Sequence, residues 1–294
     1  MHNALEQVTL RTARHTLAGF SISGLATYVQ VPDLDLCFDM GECPLSAVPL
    51  RHVLLTHAHG DHSRCVLRHF ALRHMLGLVG DAAYFMPQAI VPGFLEVARA
   101  EARFEGVDDG HYRDPVVTGL VGDRVPVALP HRRDLFVSAF PVVHRVESLG
   151  YTILERRRKL KAEHASKAGP EIAALRKAGV EVQDIVDVPL ITFIGDCVGQ
   201  SLIDQAHIWS SAVVVVEATF VDPGEEGVAR EKGHTHIAEI GRALREIVVD
   251  NPAATPEVIV LKHFSMKVTR AAIDEALARE IPASLRDRVK LFVS

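Results

Sequence analysis

The sequence predicts an α/β fold, and three observations carry that prediction. Short, apolar, β-branched runs recur along the chain, stretches of helical period lie between them, and several runs end in a histidine or an aspartate. The third observation also locates the chemistry, because rigid strands ending in polar loops aim their side chains at one edge of a sheet.

Each element has a local reason. Residues 25–31 and 34–39 are strand-like runs parted by Pro32-Asp33, a turn signal, so the chain opens with a hairpin. Residues 51–56, 135–140, 190–194, 212–216 and 258–261 are short and apolar and read as buried strands. Helices are expected at 62–76, 92–104, 170–178, 236–249 and 269–280, the third with Pro170 in its first turn and Gly179 at its stop. No fixed-period repeat, low-complexity tract or Pro/Gly/Ser linker divides the 294 residues, so a single domain over 1–294 is expected.

Composition narrows the class. At 48% hydrophobic and 23% charged, the chain is neither disordered, collagen-like nor a small disulfide scaffold. Its longest strongly apolar stretch, 212–216, is far short of the roughly 20 residues a membrane span needs. The start MHNALEQVTLRT has no apolar leader core, so no membrane role and a cytoplasmic address are expected. Cys37, Cys43, Cys65 and Cys197 lack CxxC spacing and read as reduced thiols. The unusual number is 16 histidines, an excess of metal-competent imidazoles.

Three of them fall in His57-Ala58-His59-Gly60-Asp61-His62. Chance placement of that H-x-H-x-D-H pattern has a probability on the order of 0.003. Two histidines two residues apart in a turn can face one ion, while an Asp-His pair at a helix start faces another, with Gly60 allowing the tight turn. A pair of ions about 3.5–4 Å apart needs a bridging carboxylate, and Asp196, which ends the 190–194 strand, suits that role. His144 and His263 also follow apolar strands. Singly each reads as a satisfied histidine; beside the 57–62 cluster each reads as a ligand.

At this point the sequence resembles the metallo-β-lactamase superfamily and, within it, the tRNase Z family, especially its short plant-type members. The resemblance rests on HAHGDH together with Phe38-Asp39-Met40-Gly41-Glu42-Cys43-Pro44, Leu149-Gly150-Tyr151, Gly195-Asp196, Glu217-Ala218-Thr219-Phe220, Gly233-His234-Thr235-His236 and His263-Phe264-Ser265. It implies an αββα sandwich, two mixed sheets flanked by helices. It also implies two Zn2+, with Mn2+ or Fe2+ as alternatives for such N/O ligands. His57, His59 and His144 would hold one ion, Asp61, His62 and His263 the other, with Asp196 between them. Two positions depart from the family: Val216 stands where longer members have histidine, and Cys197 replaces threonine, which makes Cys197 an alternative ligand.

The activity implied is removal of the 3′ trailer from precursor tRNA, by attack of a metal-bridging hydroxide on phosphorus. Asp61 would accept a hydrogen bond from that nucleophile, His234 would protonate the departing 3′ oxygen, and Glu217 would orient His234. Both His234 and His236 also read as helix-terminus residues. Net charge is −5, yet Arg156, Arg157, Arg158, Lys159 and Lys161 gather positive charge within an arm-like insertion at about 152–187. A solvated charge run is one reading; a tRNA-gripping arm is the other. His236 and Ser265 are further candidates for substrate contact. The family suggests a homodimer in which one subunit's arm serves the other's site. Alternatives on the same scaffold are a small-molecule or cyclic nucleotide phosphodiesterase, a thioesterase or lactonase, and a non-catalytic RNA-binding subunit.

Overall fold

Buried β-branched runs pair into two sheets whose apolar faces close on each other. The computed structural model describes residues 6–78, 82–108, 110–249, 251, 254 and 256–293. The opening segment 1–5 of the leader reading, and Ser294 at the end of the single-domain reading, lie outside the described residues.

The first sheet runs in sequence order: β1 (Val8–Arg11), β2 (Thr16–Ser23), β3 (Ala26–Val31), β4 (Leu36–Phe38), β5 (His52–Leu54), β6 (Ala83–Pro87) and β7 (Val116–Leu120). The second contains β8 (Val127–Ala128), β9 (Leu135–Val142), β10 (Ser148–Leu160), β11 (Gln183–Phe193), β12 (Val213–Glu217) and β13 (Val258–Lys262). The short β14 (Phe264–Ser265) leaves it to pair with β2, and β15 (Val289–Leu291) forms its edge beside β13.

Between the sheets, Leu17, Val29, Leu54 and Phe85 meet Val137, Tyr151, Ile191 and Val215 in one continuous core. Phe38 and Phe193 stack across it with ring centroids 4.5 Å apart. After the single turn α1 (Gly60–Ser63), helices α2 (Val66–Met75) and α3 (Val91–Phe104) lie along the outer side of the first sheet, where Val66 is buried with Val53 and Tyr84. Helix α4 (Gly169–Lys177) stands apart on the hairpin described below; α5 (Ser201–Asp204) and α6 (Glu226–Lys232) are short. Helices α7 (Ile237–Ala243) and α8 (Arg270–Glu280) bury Ile240 and Ile273 with Trp209 against the outer side of the second sheet. This is the helix–sheet–sheet–helix layering expected.

Two expected helices differ in detail. The stretch 62–76 breaks at Arg64-Cys65, because the Cys65 N–H donates to the Met40 carbonyl (2.9 Å) rather than back along the helix. The stretch 236–249 is α7 followed by a wider π turn over Leu244–Val248.

The sheets place the chemistry at one edge. β4, β5, β9, β11 and β13 lead there into Asp39, the 57–62 segment, His144, Asp196 and His263, and β12 ends there on Glu217. Asp39 and His263 have left-handed backbones (φ 57° and 64°), a conformation that costs a non-glycine residue roughly 1–3 kcal/mol and is typical of functional sites. From Tyr151↔Phe193 to Leu160↔Gln183 the β10–β11 hairpin runs in the opposite direction, about 30 Å at the usual strand rise, and its tip carries α4.

Candidate metal centre

The histidines are oriented from behind. His62 Nδ1 donates to Asp39 Oδ2 (2.8 Å) and His57 Nδ1 to Thr56 Oγ1 (3.0 Å), which itself donates to Asp39 Oδ1 (2.9 Å). His144 Nδ1 donates to the Gly233 carbonyl (2.6 Å) and His263 Nδ1 to Thr219 Oγ1 (3.0 Å). Each anchor fixes the tautomer and leaves the other ring nitrogen with a lone pair.

Those lone pairs converge. His59 Nδ1 lies 3.1 Å from His57 Nε2 and 3.2 Å from His144 Nε2, and His62 Nε2 lies 3.2 Å from His263 Nε2. Asp196 Oδ2 sits 3.3 Å from His62 Nε2 and 3.4 Å from His263 Nε2. Asp61 Oδ2, held by the Gly24 N–H (2.8 Å), is 3.5 Å from His263 Nε2. Among the described residues four donor groups result: His57, His59 and His144; His57, His62 and Asp196; Asp61, His62 and His263; and Asp196, His234 and His263.

Facing nitrogen lone pairs repel unless a cation or proton lies between them. The donor set therefore fits divalent cations that take imidazole and carboxylate ligands, zinc among them. Without a cation, protons fill the role unevenly. Burial is the largest influence on His62 and acts downward, yet Asp196 and Asp39 carry it up to about 10. Burial pushes His57, His59 and His144 down, so these three stay neutral. Burial would raise Asp196, but His263 and His62 hold it well below the carboxylate range, and they hold Asp61 down in the same way. A cation binding at His62 must displace a proton at every pH below about 10. Zinc uptake at pH 7 is accordingly expected to release protons, with affinity climbing as pH rises. Calorimetry in buffers of different ionisation heat measures this, and uptake without proton release would refute it.

Beside this cluster, His234 Nδ1 donates to Glu217 Oε1 (3.1 Å). Glu217 is fully buried and also accepts from the Cys197 N–H (3.0 Å), the Thr219 N–H (3.2 Å) and the Thr219 hydroxyl. Burial lowers His234, but Glu217 and then Asp196 raise it to about 9. The His234 nitrogen nearest Asp196, at 3.7 Å, is the one committed to Glu217. That contact leaves Nε2 as its available nitrogen.

The remaining candidates divide. His236 is fully buried and caps α7, accepting from the Ala238 N–H (3.2 Å) while Nε2 donates to the Asp222 carbonyl (2.9 Å). Of the nitrogens that the substrate-contact expectation for His236 would call on, Nδ1 is taken by the helix start and Nε2 by the Asp222 carbonyl. Ser265 is partly exposed, its N–H on the Thr219 carbonyl (3.1 Å). Cys197 is buried, which pushes its thiol up, and it belongs to no donor group among the described residues. Its backbone N–H, not its sulfur, serves the site. Val216, on β12, is packed in the core.

On the hairpin, Arg156 pairs with Asp187 through two hydrogen bonds (2.7 and 2.8 Å) and lies 3.8 Å over the Phe136 ring, and Arg157 pairs with Glu155. The expected run of five free cations is therefore shorter. Among the described residues Arg158, Lys159 and Lys161 have no acidic partner.

Sequence reasoning assigned no role to Asp39, Thr56 and Thr219, the anchors of three histidines. Asp39 did carry a signal, since it ends a strand just as Asp196 does; the two threonines carried none.

No family model matches the chain. Among curated proteins, it is 30% identical to tRNase Z TRZ1 of Arabidopsis thaliana over 281 residues, 94% of each chain. It is also 30% identical to the chloroplastic tRNase Z TRZ2 of that plant over 275 residues, 90% of this chain and 72% of the relative. Among solved structures, human tRNase Z short form superposes with a TM-score of 0.52 at 18% identity, covering 98% of this chain and 89% of that one. The metallo-β-lactamase fold protein YhfI of Bacillus subtilis gives 0.56 at 13% identity, covering 92% and 93%. The two structures share the fold, and the identity to TRZ1 along nearly the whole of both chains makes this protein a member of the tRNase Z family, built on the metallo-β-lactamase fold.

Proposed function

We propose that the chain is a divalent-metal-dependent endoribonuclease that removes the 3′ trailer from precursor tRNA. The observation that carries this reading is the His234–Glu217 pair set beside Asp196: an oriented proton donor next to a cation-binding cluster suits a phosphodiester with a poor leaving group. His57, His59 and His144 would hold one cation, Asp61, His62 and His263 a second, with Asp196 shared. When bound, such a pair supplies Lewis acidity, acidifying water and drawing charge from the phosphoryl oxygens. The protein does the rest. Asp61, with Oδ2 fixed by Gly24, would accept a hydrogen bond from the attacking water and so orient it. His234, cationic at neutral pH, delivers the Nε2 proton to the departing 3′ oxygen, and Glu217 holds the ring in place for that transfer.

The proposal extends to one domain spanning both sheets, a cytoplasmic address, and a homodimer. The basic hairpin tip lies at the end of its sheet opposite its own metal centre, so within a dimer it is suited to gripping tRNA for the partner's site. Replacing Arg158, Lys159 and Lys161 together by alanine should weaken pre-tRNA binding and flatten the slope of log K against log salt by about 2–3 units, while sparing a small phosphodiester. Equal loss on both substrates would contradict the arm. Arg156→Ala, by contrast, should chiefly cost stability, since it removes the Asp187 pair and the Phe136 contact.

A small-molecule phosphodiesterase is the second reading, favoured by the internal pairing of Arg156 and Arg157. Assay of the purified, metal-loaded protein on a 3′-extended pre-tRNA, a cyclic nucleotide and a thioester separates the readings. Cleavage of pre-tRNA at the trailer boundary supports the proposal, and turnover of either other substrate alone overturns it.

A further inference from the structure

Lys262 is fully buried at the end of β13, opposite Glu217 in the parallel register with β12. Its Nζ lies 3.8 Å from Asp196 Oδ1 and 4.7 Å over the ring of Phe193, and it makes no hydrogen bond among the described residues. Asp196 Oδ1 is likewise buried without a hydrogen-bond donor. The two unsatisfied groups face each other. A buried ammonium ion is costly unless it is paired, so an apolar residue of the same length would serve packing better at this position.

The two oxygens of Asp196 therefore have separate surroundings. Oδ2 faces His62 and His263, while Oδ1 faces Lys262. We propose that Lys262 is a positioning residue that claims Oδ1 of Asp196, so that Asp196 presents Oδ2 alone to the cations as a one-oxygen bridge. Its charge also offsets part of the negative charge gathered at this edge by Asp39, Asp61, Asp196 and Glu217. The inference rests on the metal-pair reading above. Without Lys262 the carboxylate is free to turn and offer both oxygens to one cation, which weakens its hold on the other.

The test measures metal rather than turnover. Wild type, Lys262→Met and Lys262→Gln are stripped, reloaded with zinc and analysed for zinc content, for affinity against a chromophoric chelator, and for the visible spectrum of the cobalt(II) form. Failure of wild type to retain two zinc ions per chain would overturn the metal-pair reading itself. If wild type retains both, Lys262→Met should lose one or bind it about 10–100-fold more weakly, with an altered cobalt spectrum, the size of effect usual for groups that orient metal ligands. Lys262→Gln, which keeps a donor for Oδ1 without the charge, should fall between the two. A Lys262→Met protein that melts at lower temperature yet binds both ions with unchanged affinity and spectrum would show a purely structural lysine and overturn the proposal. Should that variant prove insoluble, Lys262→Gln decides by the same criteria.

Discussion

His234→Ala is expected to lower turnover on a 3′-extended pre-tRNA by about 10²–10⁴-fold, the span usual for loss of a general acid, with metal content unchanged. The expectation follows from the ring's attachments. Its Nδ1 is committed to a fully buried carboxylate and the ring is outside the proposed ligand set, so on that proposal replacing it removes a proton donor and leaves every cation ligand in place. Loss of metal on substitution would make His234 a ligand instead. The pH profile adds an independent readout. Glu217 lifts the pKa of His234, so Glu217→Gln should bring it down. If the protonated ring is the active form, as proposed, the alkaline fall in turnover should move to lower pH. An alkaline limb that stays in place would remove His234 from the acid role.

Asp196→Ala should produce the largest combined loss. On the proposed ligand set Asp196 is the carboxylate shared by both cations, so cation content should fall below that of wild type, and turnover by at least about 10³-fold with it. Stability should fall as well, by about 3–5 kcal/mol in the metal-free protein, because the substitution strands the Lys262 ammonium in the core. Chemical denaturation measures that term. Adding Lys262→Met to Asp196→Ala should restore part of it, since the stranded charge is then gone. Two independent, additive losses in that double-mutant cycle would show that the pair does not interact.

What could be read from the sequence depended on which faces a strand buries. β5, β12 and β13 are buried on both sides and appear as plain apolar runs. The outer half of β10 passes from half-buried Glu155 and Arg156 to exposed Arg157, Arg158 and Lys159; it shows no alternation, and only its charge marked it out. β2 is buried yet was missed because Gly19 interrupts its run, and that glycine is required: a Cβ there would lie 2.0 Å from the Tyr28 carbonyl oxygen. The donors of the metal centre were legible because imidazoles and carboxylates at strand ends are conspicuous. Their supports were not, because Thr56, Thr219 and the Gly233 carbonyl are ordinary groups made significant by neighbours remote in sequence. Lys262 stood in plain view inside Val-Leu-Lys-His-Phe, but only the packed sheets reveal that its ammonium faces Asp196.

The strand ends that meet at the common edge come from both sheets: Asp39 and the 57–62 segment from one, His144, Asp196 and His263 from the other. On the proposed ligand set, each cation is thus a rivet between the two halves of the sandwich, and metal supply becomes a variable of folding. By mass action, free ion at 100 times its dissociation constant adds about 2.7 kcal/mol to the stability of the closed form, and the contribution shrinks as the ion is withdrawn. A chain starved of metal is then more than a catalyst at rest. It is a looser sandwich, with its two layers joined at that edge by hydrogen bonds and protons alone.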